Sequence, residues 1–114
     1  MADARAQAED FYYTALDHYA AGQLDDAIAA YQRATEADPS FTDALHGLTR
    51  AYQDAGRVDE AIAVAQRLTE LDPNDVLAHT SLSILYQKKG MIAEAEAEGT
   101  RAKVLGWKQQ LKKS

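Results

Sequence analysis

Cysteine is absent from the 114-residue chain, which excludes disulfides, thiolate-held metals and a cysteine nucleophile. Proline is nearly absent, and its two copies, Pro39 and Pro73, stand 34 residues apart. No apolar run approaches the length that crosses a bilayer. The first residues, "MADARAQAEDFYY", lack the apolar stretch of a secretory leader. A soluble, cytoplasmic protein is the expectation. Also missing are a glycine-rich phosphate loop, a nucleophile elbow and any residue set with the company of a catalytic triad. These absences argue against an enzyme and against a bound cofactor.

What is present is ordinary for a globular chain: 46% apolar and 26% charged residues, too apolar for disorder and long enough for one modest core. The net charge of -6 is unevenly placed. Residues 1–57 hold ten acids against four Lys or Arg, while residues 58–114 hold eight of each. The last sixteen residues, "GTRAKVLGWKQQLKKS", contain five basic groups and no acid. At a helix end such charges complement the macrodipole. As a footprint for nucleic acid or a membrane they are weak on an acidic protein, so neither partner is expected.

The most informative feature is internal repetition. "AGQLDDAIAAYQRATEADP" (21–39) and "AGRVDEAIAVAQRLTELDP" (55–73) agree at twelve of nineteen positions with an offset of 34. Units beginning at Ala8, Thr42 and Val76 align Gly22, Gly56 and Gly90, then Ala27, Ala61 and Ala95, then Leu24, Val58 and Ile92. Trp107 stands where a third proline would fall. A 34-residue helix-turn-helix period with these small residues resembles the tetratricopeptide repeat family over residues 8 to about 107. The resemblance implies an all-α, right-handed superhelical stack of three helical hairpins, an α-solenoid. One domain spans 1–114: a lead-in (1–7), repeats at 8–41, 42–75 and 76–109, the third degenerate, and a basic tail (110–114).

The residues support that architecture on their own. Ala44, Leu45, Leu48, Ala51, Tyr52 and Ala55 recur at spacings of three and four, the stripe of an amphipathic helix. Gly56 ends it, since glycine takes the left-handed conformation that reverses a chain. Asp59 and Glu60 open the next helix at its positive end, and Ala61, Ile62, Ala65, Leu68 and Leu71 form its apolar face. Ser40 followed by Asp43 reads as a capping box for the helix between. Alanine at 27, 61 and 95 permits close helix approach, and Tyr52 and Tyr86 fill the space between units. A single hairpin buries too little surface to be stable alone, so stacking supplies the core.

Departures from the pattern carry the remaining expectations. His18 occupies the slot of Tyr52 and Tyr86, and His79 the slot of Phe11 and Leu45, so both read as packed histidines. None of His18, His46 and His79 has a further His, Asp or Glu four residues on, and no metal site is expected. The acids of Asp25-Asp26 and Asp59-Glu60 diverge by about 100° on a helix and cannot share a substrate. In the third unit Glu96 and Gly99 replace packing residues, as though nothing further had to be covered. Either the last helix runs on past Gly106 with Trp107 and Leu111 folded back over that end as a lid, or the end meets another molecule.

The family resemblance implies a concave groove lined by the first helix of each unit. On this chain its line runs Glu9, Tyr12, Tyr13, Leu16, Tyr19 and Ala20, then Asp43, His46, Gly47, Arg50, Gln53 and Asp54, then Leu77, Thr80, Ser81, Ile84, Gln87 and Lys88. The site residues expected from it are Tyr12, Tyr13, Leu16, Tyr19, His46, Arg50, Gln53, Leu77, Ile84, Gln87 and Lys88, with Arg50 alone in charge at the centre. Members that bind acidic chaperone tails carry a carboxylate clamp of Lys, Asn and Arg. Tyr12, Leu16, Gly47, Leu77 and Ser81 stand at its positions, so that function is not inherited. Leu and Ile on a face that packing does not require mark an interaction surface, and Tyr and Arg are common anchors. The expected function is a non-enzymatic adaptor or scaffold that holds a peptide or helix of a partner protein in the groove. The alternative is a self-assembling structural protein, a homo-oligomer joined through the third-repeat end or the groove.

Overall fold

The computed structural model describes residues 3–113. Six helices follow one another: α1 (Ala4–Ala20), α2 (Leu24–Ala37), α3 (Thr42–Asp54), α4 (Val58–Leu71), α5 (Val76–Lys88) and α6 (Ile92–Lys113). Among the described residues there is no strand. The helices pair as three hairpins, α1 with α2, α3 with α4 and α5 with α6, each stacked on the next. α3 and α5 begin at Thr42 and Val76, the unit starts read from the sequence, whereas α1 reaches back to Ala4 and is capped by the Asp3 carboxylate, which accepts from Arg5 N at 3.1 Å.

Each hairpin turns in the same way. Gly56 has φ 76°, and Arg57 N donates back to Tyr52 O at 2.8 Å, closing the carbonyl end of α3. A side chain at that dihedral would be strained, which fixes glycine at the turn. Gln23 N to His18 O and Met91 N to Tyr86 O, both 2.9 Å, repeat the bond in the other two units. Ala27, Ala61 and Ala95 are fully or almost fully buried, each in the first turn of the second helix of its unit. There the absent side chain lets the paired backbones approach.

Between units the packing alternates large with small. Tyr31 of α2 is buried over Gly47 of α3; a Cβ on Gly47 would lie 2.5 Å from Tyr31 Cε1. In the third unit Gly99 leaves room for Ser83, whose Oγ donates to Ala95 O at 2.8 Å. Gly99 therefore serves a close α5–α6 contact. Tyr52 and Tyr86 each accept a hydrogen bond from a glutamine of the preceding unit, Gln32 at 2.6 Å and Gln66 at 3.0 Å. A tyrosine in this slot thus packs its ring and satisfies its hydroxyl at one repeating site.

Several expectations are corrected. The helix α3 is not opened by a capping box: its N-cap is Phe41, with no side-chain bond, and Ser40 instead gives both its N–H (3.0 Å) and its hydroxyl (2.7 Å) to Asp38. The loop between Asp38 and Thr42 is an Asx turn in which proline blocks helix continuation, and Asp72 and Asn74 repeat it at 3.0 Å. Leu71 is exposed at the end of α4 and lies outside the core. His18 is half-buried at the rim, its Nδ1 bonded to Gln23 Oε1 at 2.8 Å. Trp107 forms no lid. α6 runs straight through Gly106 to Lys113, which keeps Trp107 outside, 65% exposed, and Leu111 55% exposed.

The Tyr31–Gly47 contact yields two expectations. Gly47→Ala gains about 1 kcal/mol of helix propensity but forces Tyr31 aside, at a cost of about 1–3 kcal/mol. It should destabilise the wild type and become neutral or stabilising once Tyr31 is cut to Ala, a sign change that a urea double-mutant cycle reads directly. Additive losses would place the ring elsewhere. Burial, reinforced by the neighbouring Tyr12 and Tyr19 hydroxyls, also pushes the Tyr31 hydroxyl up to about 12. A raised value means that the neutral form is the folded form, so its share of stability is whole below about pH 10 and is lost as pH rises through about 12. Tyrosinate absorbance should appear in step with alkaline unfolding, and the Tyr31→Phe variant should unfold at higher pH.

Candidate functional site

The first helices of the three units lie side by side, and their equivalent stripes meet in one open groove of about 510 Å³. α1 supplies Tyr12, Leu16 and Tyr19; α3 supplies Asp43, His46, Gly47, Arg50, Gln53 and Asp54; α5 supplies Leu77, Ser81 and Ile84. Spacings of three and four put each set on one helix face. Tyr31 and Thr49 complete the floor. Of the residues expected here, Tyr12, Leu16, Tyr19, His46, Arg50, Gln53, Leu77 and Ile84 line the groove together. Tyr13, Gln87 and Lys88 are exposed and lie off it.

One wall is aromatic. The Tyr12 ring meets Phe41 at 5.1 Å between centroids, Tyr13 at 5.7 Å and Tyr31 at 6.0 Å, all tilted by more than 50°. Arg5 lies over the outer face of Phe41, 3.9 Å from its centroid. Such tilted contacts set ring edges against ring faces and hold the cluster stiff. The other surfaces are aliphatic and exposed: Leu16 by 38%, Ile84 by 41% and Leu77 by 57%. One comes from α1 and two from α5, on either side of the polar strip of α3.

Two hydrogen bonds lace the groove helices together. The Tyr19 hydroxyl donates to Asp54 and so joins α1 to α3. His46 Nε2 contacts Asp75 Oδ2 at 2.7 Å, and Asp75 Oδ1 accepts from Ala78 N at 3.1 Å. Asp75 therefore caps α5 and ties it to α3 with one carboxylate. Sequence reading assigned Tyr19 and His46 to a partner without these internal bonds. The capping role of Asp75 was legible, since it stands directly before a helix with Ala78 three residues on; its bond to His46 was not.

Arg50 is not alone in charge, as the sequence suggested: Asp43 and Asp54 line the same groove, two turns before it and one turn after. Their effect is visible in the tyrosines. The hydrogen bond to Asp54, then burial, raises the Tyr19 hydroxyl above its ordinary value, with Arg50 opposing. Burial, then Asp43, raises Tyr12. His79 lies elsewhere, buried as expected, with Nε2 donating to Pro73 O at 2.8 Å and Nδ1 facing Glu98 at 2.5 Å. It clasps the α4–α5 loop to α6. Among the described residues no three His, Asp or Glu converge as a metal-ligand set.

Among solved structures, the crystal structure of MamA superposes with a TM-score of 0.88 at 26% identity over 95% of this chain and 63% of that one. The chain therefore spans less than two thirds of that MamA chain. The type III secretion translocator chaperone SycD of Yersinia enterocolitica, crystallised as an alternative dimer, gives 0.82 at 25% identity over 88% of this chain and 76% of its own. The first repeat domain of Spaghetti (RPAP3), bound to the HSP90 peptide SRMEEVD, gives 0.84 at 18% identity over 89% and 80%, a likeness of fold alone. No curated protein matches the sequence. No helix among the described residues is long and apolar enough to cross a membrane. The tetratricopeptide repeat model matches residues 18–85, more than half of the chain, and with its three stacked hairpins this protein belongs to the tetratricopeptide repeat family.

Proposed function

We propose that the protein is a non-enzymatic, cytoplasmic adaptor that holds a peptide or a helix of a partner protein in its concave groove. The observation that carries this reading is the exposure of Leu16, Leu77 and Ile84 on one groove. Stacking of the hairpins leaves these side chains partly exposed, and exposed aliphatic groups gathered on one surface gain by being covered. The polar groups beside them are engaged with one another, Tyr19 with Asp54 and His46 with Asp75. That arrangement favours a preorganised recognition surface over acid–base chemistry.

The chemistry of the groove also narrows the ligand. Tyr12, Leu16, Gly47, Leu77 and Ser81 offer no cation where a carboxylate clamp needs them, and Asp43 and Asp54 would repel an acidic tail. The ligand instead brings an apolar face to the aliphatic walls and an acceptor or an aromatic ring face to Arg50. SycD, at 25% identity, is a translocator chaperone, which supports a protein as the ligand class.

Peptides selected by display against the immobilised protein, then measured by calorimetry, test the groove. Leu16→Ser and Ile84→Ser should keep the thermal midpoint within a few degrees, because both side chains are already partly exposed. They should weaken the selected peptides about tenfold or more, as expected for an anchor of about 1.4 kcal/mol. Arg50→Ala should also lose affinity. Peptides bound undiminished by all three variants would move the site to another face. Unfolding by Leu16→Ser would return that residue to the core.

A further inference from the structure

α6 is longer than its partner α5, and its final turns carry an exposed apolar face. Val104, Trp107 and Leu111 are exposed by 42%, 65% and 55% and stand three and four residues apart, on one helix face. Arg101, Lys108 and Lys112 flank that face, and residues 99–114 hold five basic groups without an acid. An apolar stripe bordered by cations needs an apolar surface bordered by acids. The chain itself contains one: the groove offers Leu16, Leu77 and Ile84 with Asp43 and Asp54, and residues 8–41 beside it hold seven acids against Arg33 alone.

We propose that the end of α6 of one copy docks in the concave groove of a second copy, head to tail. This rests on the reading of the groove as a binding site and names its occupant. α6 cannot reach its own groove, because it is one continuous helix packed on α5 and tied by Gln109 Nε2 to Asn74 O at 3.2 Å. The ligand must come from another molecule. Arg50 fits the assignment: with acids on both sides, it is offered the face of the Trp107 ring, the best aromatic partner for a guanidinium. Tail and groove are different surfaces, so each docked copy leaves one of each free, and the contact propagates as a chain of molecules.

Trp107 is the single tryptophan and reports the contact without a label. Sedimentation and fluorescence of the full chain over a concentration series should show mass rising above the monomer together with a blue shift of emission. Both should recede at about 0.5 M salt, where exposed charges are screened within a few ångströms. The tail variant Trp107→Ser/Lys108→Glu and the groove variant Leu16→Ser/Asp43→Lys should each be monomeric and fully helical by circular dichroism. Mixed, they should form a dimer and nothing larger, because one intact tail meets one intact groove. A wild type that stays monomeric overturns the proposal, as does association that survives in the tail variant. A mixture that fails to dimerise overturns the head-to-tail pairing. Flotation with phosphatidylserine vesicles, lost in the tail variant of a monomeric protein, would overturn it too and give the helix to a membrane. The tail variant keeps its groove, so display-selected peptides that still bind it separate failure of self-docking from failure of the groove.

Discussion

The shape of the groove depends on Tyr31 lying where a side chain of Gly47 would have to be. The ring comes from the second helix of one unit and the vacancy from the first helix of the next, so their fit sets how near the two hairpins sit. It also fills the floor below Tyr12 and Arg50, so that the groove is closed beneath and open only towards solvent. Burial there raises the hydroxyl to about 12, the electrostatic sign of a ring packed into an apolar layer. At the corresponding positions of the next interface stand Ala65 and Ser81, where a small residue faces a slightly larger one. The interfaces share a period without sharing their side chains, which is how repeats stay in register while their grooves diverge.

Polar bonds then hold the curvature that packing allows. Gln32 to Tyr52 and Gln66 to Tyr86 recur at the repeat period and join successive units on the packed side. Tyr19 to Asp54 and His46 to Asp75 join the first helices across the groove. The second pair has no common period, being specific to each junction. A bond between neutral or singly charged partners contributes only about 0.5–3 kcal/mol net, less than the burial of one tyrosine side chain and its neighbours. Their larger effect is geometric. With Tyr19 and His46 held from within, the spacing of α1, α3 and α5 is set before any ligand arrives, and less ordering remains to be done on binding.

The hairpins were legible because their causes are local and periodic. Glycine at 22, 56 and 90 has one physical reason, a left-handed turn, and the buried alanines have another, close approach. What was misread depended on which of two partners a side chain chooses. Ser40 and Asp43 have the spacing of a capping box, yet Asp38 is nearer and proline fixes the loop that brings it round. Trp107 and Leu111 were expected to fold back as a lid over the open third unit. The helix does run on past Gly106, but it leaves both side chains on an exposed face, 65% and 55% accessible. The company of Arg50 was legible, since Asp43 and Asp54 stand seven residues before and four after it in the same groove line; the error lay in leaving them out of the expected site. The bond of Asp75 to His46 was invisible for a different reason: it joins residues 29 apart.

Charge is distributed along this fold as unevenly as packing is. The first repeat is rich in acids, two of them in the first turn of α2, while the last turn of α6 carries two lysines. In a closed globule such a separation would relax, because opposite charges would fold towards each other. A stack of hairpins forbids that: each unit touches only its neighbours, so the acidic and basic ends are held apart by the second repeat. The resulting field is carried along an array whose principal extents are 41, 34 and 22 Å, distances well beyond the screening length of about 8 Å at physiological salt. The two ends therefore act on their surroundings independently. A groove walled by leucine and isoleucine beside one end, and an exposed tryptophan at the other, give each charge an apolar contact to complete, which is what turns a long-range attraction into a specific one.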